Sequence, residues 1–126
     1  MSNFSPAYGE GPAGAQIPIA VDSSGKLILS ASTGPQQAQT ATLTQVASSA
    51  TTVVLVAANA NRKGLYIYND STAILYVAFA GTASTSVYSF QLPAQGFYEM
   101  PTPIFVKTIS GIWTAANGNA ILTELT

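Results

Sequence analysis

From residue 51 onward the chain repeats one pattern. Runs of three to six residues rich in Val, Ile, Leu, Tyr and Phe alternate with short clusters of Asn, Gly, Pro, Asp and Ser. The β-prone runs are residues 51–56, 64–68, 74–79, 87–92, 97–100, 104–106, 109–113 and 120–125. The breaks fall at Asn59-Ala-Asn-Arg62, Asn69-Asp-Ser71, Gly81, Pro93-Ala-Gln-Gly96, Pro101-Thr-Pro103 and Asn117-Gly118. No stretch carries the 3.6-residue period of an amphipathic helix. About eight short strands at this spacing predict an antiparallel sandwich or barrel. Asn117-Gly118 reads as a hairpin turn, because both residues tolerate positive φ. The fold class is all-β, an antiparallel jelly-roll-like β-sandwich with an extended N-terminal arm and hairpin.

The N-terminal part reads differently. Pro6, Gly9, Gly11, Pro12 and Gly14 punctuate residues 1–16 too densely for helix or strand. Phe4 and Tyr8 are the large apolar groups of this irregular arm and its candidate anchors. Two β-type runs follow, residues 17–21 and 26–30, around an Asp22-to-Gly25 turn. They predict a hairpin, with Pro18 confining its first strand to an edge. An isolated two-stranded ribbon is marginal in water, so this hairpin needs a partner surface, and Ile17 and Ile19 are further candidates for that contact. Residues 33–42 are polar and low in complexity, and read as a linker. Arm, hairpin and linker therefore occupy residues 1–48, and the sandwich residues 49–126.

Alternation along two strands adds a clue about assembly. In Leu65-Tyr-Ile-Tyr68 the aliphatic residues share one face and the tyrosines the other. In residues 74–79, Ile74 and Tyr76 oppose Leu75, Val77 and Phe79. A strand of a lone sandwich carries one polar face, whereas these carry apolar groups on both. Either loops or the arm cover the second face, or it packs against another subunit. Tyr66, Tyr68 and Tyr76, with Arg62 beside them, are the candidate subunit interface.

Composition removes most chemistry. The 126 residues include 4 Lys+Arg and 5 Asp+Glu, for a net charge of -1, and neither His nor Cys. The usual general base, the usual metal ligand and any thiolate nucleophile are missing. So weak a charge offers no field for nucleic acid or an anionic membrane. Only 7% of residues are charged, yet 48% are hydrophobic, which describes a folded chain rather than a disordered one. The longest apolar run, residues 73–80, is far short of a bilayer span. The first 14 residues lack the basic and apolar regions of a secretory signal. With little net charge opposing association, self-assembly is favoured.

The remaining motifs are weak. Gly9-Glu-Gly-Pro-Ala-Gly14 matches G-x-G-x-x-G, but no strand precedes it and no helix follows to meet a pyrophosphate. Asp70 with Glu99 is the one carboxylate pair worth testing as an acid/base couple; an Asx-type turn is the ordinary role of Asp70, and Glu99 has Arg62 or Lys63 as an alternative partner. The serines have no histidine base and no nucleophile elbow. Trp113, Tyr66, Tyr68, Tyr88 and Tyr98 offer material for a sugar-stacking platform, though packing is the commoner fate of such residues. The expectation is a protein that is no enzyme and has no cofactor or metal.

Four segments carry a resemblance. They are Asn61-Arg-Lys-Gly-Leu-Tyr-Ile-Tyr-Asn-Asp-Ser71, Leu75-Tyr-Val-Ala-Phe79, Leu92-Pro-Ala-Gln-Gly-Phe-Tyr-Glu99 and residues 109–118 with the closing Thr-Glu-Leu. Together they resemble small β-sandwich virion proteins of tailed bacteriophages, of the head decoration, cement or head-fibre type. The family pattern opens on "N-R-x-x-L-x-I-x-N" and returns through an "L-x-P-G-x-x-Y-E" turn, which here reads Pro93-Ala-Gln-Gly96. The resemblance covers about the last 75 residues; upstream, only the arm and a "V-D-x-x-G-K-L" hairpin are similar in style. It implies a capsid decoration or cement protein, made in the host cytoplasm and carried on the virion's capsid surface. It further implies the major capsid protein as partner and self-association, a homotrimer by analogy, with no nucleic acid or membrane bound. A carbohydrate-binding module of a phage fibre or tail is the alternative.

Overall fold

The computed structural model describes residues 36–126 and, upstream, residues 9–10, 16–17 and 23–25. The chain divides into two units, Met1–Pro35 and Gln36–Thr126. In the first, β1 (Gly9–Glu10) pairs antiparallel with β2 (Gln16–Ile17), Gly9 opposite Ile17. Part of the stretch read as irregular thus forms a short ladder, because backbone groups pair regardless of side chain. The turn expected at residues 22–25 shows at Ser23 to Gly25, where Gly25 takes a φ of 83°. The hairpin strands beyond Ile17, and Phe4, Tyr8 and Ile19 with them, lie outside the described residues.

Alternating side chains in the second unit build two antiparallel sheets. The strands are β3 (Ala41–Ala47), β4 (Val53–Val56), β5 (Gly64–Asp70), β6 (Leu75–Phe79), β7 (Phe90–Leu92), β8 (Phe97–Glu99), β9 (Ile109–Trp113) and β10 (Asn119–Leu125). One sheet has the order β3-β10-β5-β8 and the other β4-β9-β6-β7. The pairs nest: β6 with β7, β5 with β8, β4 with β9 and β3 with β10. The chain is thus a β-sandwich, an all-β fold without helices among the described residues.

Leu65 and Ile67 of β5, Leu75 and Val77 of β6, Ile109 and Trp113 of β9 and Leu122 of β10 fill the space between the sheets. Each carries its strand's alternate position, so the period of two in the sequence becomes one dry layer. Gly111 keeps that layer tight: a Cβ there would stand 2.8 Å from Leu55 Cδ1 and 3.0 Å from Leu75 Cδ1. At one end Phe79 stacks on Phe105 at 5.1 Å and meets Phe90 edge-on at 5.8 Å, while Phe90 stacks on Tyr98 at 4.1 Å. Burial pushes the Tyr98 phenol above its ordinary value. The unfolded chain therefore ionises first, and the stability tied to Tyr98 is intact below about pH 10 and lost as pH rises beyond it. Urea melts at neutral and alkaline pH should show a shallower alkaline loss in Tyr98→Phe than in the wild type. Equal slopes would exclude that tyrosine as a contributor.

Three elements depart from the sequence reading. Residues 41–47, read as linker and boundary, form β3, and the compact unit begins at Gln36 rather than at residue 49. β3 is an edge strand, and of its residues only Val46 packs on the core, so no buried stripe betrays it. Residues 104–106 are not a strand. The Phe105 carbonyl there accepts from Arg62, and the Val106 carbonyl from the Asn59 N–H. Asn117-Gly118 does not close a hairpin, since β9 and β10 belong to different sheets. Its glycine permits a close crossing instead: a Cβ on Gly118 would fall 2.3 Å from the Asp70 carbonyl oxygen.

Candidate interaction face

The register of the β3-β10-β5-β8 sheet arranges its outer face in rows. Gln45, Ile121, Tyr68 and Phe97 lie across one row, and Leu43, Thr123, Tyr66 and Glu99 across the next. The Tyr66 and Phe97 rings stack diagonally with centroids 5.8 Å apart. Leu43 is 71% exposed and Phe97 61%, and Tyr66, Tyr68 and Ile121 between them are half-buried. The Tyr68 hydroxyl donates to Gln95 Oε1, so the turn before β8 steadies the ring. Glu99 and Asp70 sit at the margins, leaving an aromatic and aliphatic strip across four strands. With Gln45 and Thr123 interspersed, these apolar groups make the face a candidate interaction site.

The outer face of the other sheet is partly covered by the chain itself: Ala78 and Ser110 are buried, while Val54 at the β4 edge is 56% exposed. Ala83 is buried, its N–H donates to Ser110 Oγ, and that hydroxyl donates to the Gly81 carbonyl. These bonds fold residues 80–89 back over the sheet and bring Tyr88 to 4.8 Å from Tyr76. The two explanations for doubly apolar strands therefore divide between the sheets. A loop covers the middle of the β6 face, at Ala78 and Ser110, while no side chain of the β5 outer face is fully buried.

The four candidate interface residues separate accordingly. Tyr66 and Tyr68 stand on the open face, whereas Tyr76 lies on the opposite side of the sandwich, under Tyr88. Arg62 is a correction: it is 2% exposed and committed inside its own chain. Its Nε donates to Glu124 Oε2 at 2.6 Å, Nη1 to the carbonyls of Phe105 (2.6 Å) and Lys107 (3.1 Å), and Nη2 to that of Ala57 (2.5 Å). Glu124, not Glu99, is its carboxylate. Leu43, Phe97 and Ile121 join the face without having been singled out. Strand β10, apolar at Ile121 and Leu125 as well as at Ala120 and Leu122, held the signal.

The structure disperses the proposed chemistry. Asp70 and Glu99 project from the same face, but Glu99 pairs with Tyr66, four residues along β5 from Asp70, or about 13 Å at the strand rise. Both are exposed, with no cleft between them. Trp113 is 1% exposed and its Nε1 donates to Asn69 Oδ1 at 3.0 Å, which removes it from any sugar platform. Tyr98 packs inward and Tyr88 lies on the far sheet. An open depression of about 270 Å³ is lined by Gln39, Thr40, Asn61, Lys63 and Thr126, and the Lys63 ammonium already donates to the Gln37 carbonyl. No three His, Cys, Asp or Glu side chains cluster among the described residues.

The segment from Asn61 to Ser71 acquires a structural meaning. Its Arg62 and Asn69 are buried polar anchors, and Leu65 and Ile67 are core. In the return turn the Gly96 N–H donates to the Pro93 carbonyl at 2.9 Å, and Gln95 takes the left-handed place with a φ of 62°. Comparison with family models, curated proteins and solved structures finds no match.

Proposed function

We propose that this chain is a structural component of a tailed-bacteriophage particle, a decoration or cement protein that binds the outer capsid shell and stabilises it. The observation that carries the reading is the open outer face of β3-β10-β5-β8, built of Tyr66, Tyr68, Phe97, Ile121 and Leu43. Such a face has packing to offer and no reacting group. The nested strand pairs support a jelly-roll reading of the sandwich, an architecture used by viral capsid and lectin domains. Fold alone does not assign function; the sequence resemblance and the scarcity of ionisable groups point the same way. In this reading three copies pack their aromatic faces about a common axis, and the N-terminal segment with Phe4, Tyr8, Ile17 and Ile19 holds the major capsid protein. Contacts repeated over a shell give avidity without a strong single site.

Light scattering tests the assembly. The wild type should report more than one subunit, and Tyr68→Asp should report one while melting as a folded protein. A wild type that stays monomeric at high concentration contradicts the reading. Deleting residues 1–16 should weaken cosedimentation with capsid shells of the parent phage and leave the sandwich folded. The glycan-binding alternative retains only Tyr66 and Tyr68 of its platform, with Phe97 now beside them, and binding on a glycan array lost in Tyr68→Ala or Phe97→Ala would favour it.

A further inference from the structure

Hydrogen bonds at the two ends of β3 set the phase of the whole strand. Thr40 and Thr126 exchange both bonds, at 2.9 and 2.8 Å, and the Ser48 N–H donates to the Gly118 carbonyl at 2.9 Å. Antiparallel pairs alternate between bonded and non-bonded. Thr40, Thr42, Thr44, Val46 and Ser48 therefore aim their backbone groups at β10. Ala41, Leu43, Gln45 and Ala47 aim theirs outward, where no described residue pairs with them.

Sheet edges are ordinarily blunted by brevity, bulges, charge or proline. The other three edges here follow that rule. β7 and β8 have three residues each, and β4 has four with a register shift between Val54 and Val56. β3 has seven residues, reading ATLTQVA, with no charge, no proline and an unbroken register. Among the described residues, one edge of the four in these two sheets is left as a template.

The geometry points to β3 as a docking edge for the β3 strand of a second copy, antiparallel about a two-fold axis through Thr44. This contact does not depend on the aromatic-face packing proposed above, although Leu43 borders both; Gln45→Pro is the variant confined to the edge backbone. Centred there, Ala41 faces the partner's Ala47 and Leu43 faces the partner's Gln45. Each such pair exchanges two bonds, which makes eight across the axis by the antiparallel rule. Thr44 meets the partner's Thr44 in the closer, non-bonded spacing, a pairing that favours threonine. No charge opposes its own copy. Leu43, at 71% the most exposed large hydrophobic among the described residues, becomes the diagonal neighbour of the partner's Leu43. The four-stranded sheet then continues as eight strands with one outer face. A ladder this short buries less than the ~800 Å² per partner of a standard interface, so the contact is weak in dilute solution. It strengthens where copies are held side by side.

Because the chain has no cysteine, one substitution makes the test. Thr44→Cys places two thiols at the axis, where non-bonded strand spacing suits a disulfide. In a glutathione redox buffer at high chain concentration, it should form covalent dimer about tenfold more than Thr85→Cys, an exposed loop control, because the strands hold the thiols at raised effective concentration. Adding Gln45→Pro removes an outward N–H that the fold does not use, and should return cross-linking to the control level in a chain that still melts cooperatively. Leu43→Lys keeps every backbone donor but sets two ammonium groups near the axis, and should do the same. Cross-linking no greater than in Thr85→Cys overturns the proposal. So does cross-linking that survives both edge variants, and loss with Tyr68→Asp alone would assign the contact to the aromatic face instead.

Discussion

An Asn69→Leu variant is expected to lose about 4 kcal/mol of folding stability, because it orphans several buried polar groups at once. Asn69 is fully buried between the sheets. Its Nδ2 donates to the carbonyls of Ala73 at 2.8 Å and Pro93 at 2.9 Å, with that of Leu92 at 3.2 Å. Its Oδ1 accepts from Ser71 Oγ at 2.7 Å and from Trp113 Nε1 at 3.0 Å. One side chain thus joins the β5–β6 turn, the β7–β8 turn and strand β9. Leucine fills the volume but satisfies none of these groups, and an unmade buried bond costs more than a made one contributes. Asn69→Asp should fare no better, since its carboxylate would face three carbonyl oxygens. Trp113 is the sole tryptophan, so urea unfolding followed by its fluorescence reads the site directly. A midpoint lowered at constant slope is the expected result. A loss below about 1 kcal/mol, the worth of one ordinary hydrogen bond, would show that the network relaxes around the gap.

Arg62→Met should cost a similar amount, about 3–5 kcal/mol, the range for removing one partner of a buried ion pair. The guanidinium binds Glu124 of β10 and three carbonyls, so it ties the loop at residues 57–62 to the 105–107 segment and to an inner strand of the first sheet. Arg62→Lys should recover little, because an ammonium on a flexible stem cannot present a planar fork to a carboxylate and three carbonyls together. The double variant Arg62→Met with Glu124→Gln separates the contributions. It should lie closer to the wild type than the sum of the single losses, since the carboxylate is no longer left unpaired. Strict additivity would mean that the ion pair contributes nothing beyond the carbonyl bonds.

These two residues also show how far the chain could be read unfolded. Asn69 looked like turn chemistry and Arg62 like part of a subunit interface, because both stand next to strand breaks in a polar stretch. Local pattern reports which residues alternate. It does not report that two turns distant in sequence converge on one amide, or that a loop arginine is swallowed by carbonyls some 45 residues away. The Ile104-to-Val106 run failed for the same reason, its carbonyls being taken by Arg62 and Asn59. β3 failed for the opposite one: exposed on nearly every residue, it lacks the buried stripe that identifies a strand. The Thr and Val in it were the remaining signal.

The amino-acid order by itself determined the all-β class, the strands from β5 onward and the two faces of β5 and β6, because a period of two is local geometry. It also determined that the chain is poor in groups able to transfer protons or hold metals, because composition needs no fold. Only the tertiary structure decided which doubly apolar strand a loop overlies, which tyrosines share a surface and which edge has no partner among the described residues. Those answers depend on sheet order, and sheet order is set by contacts between residues far apart along the chain.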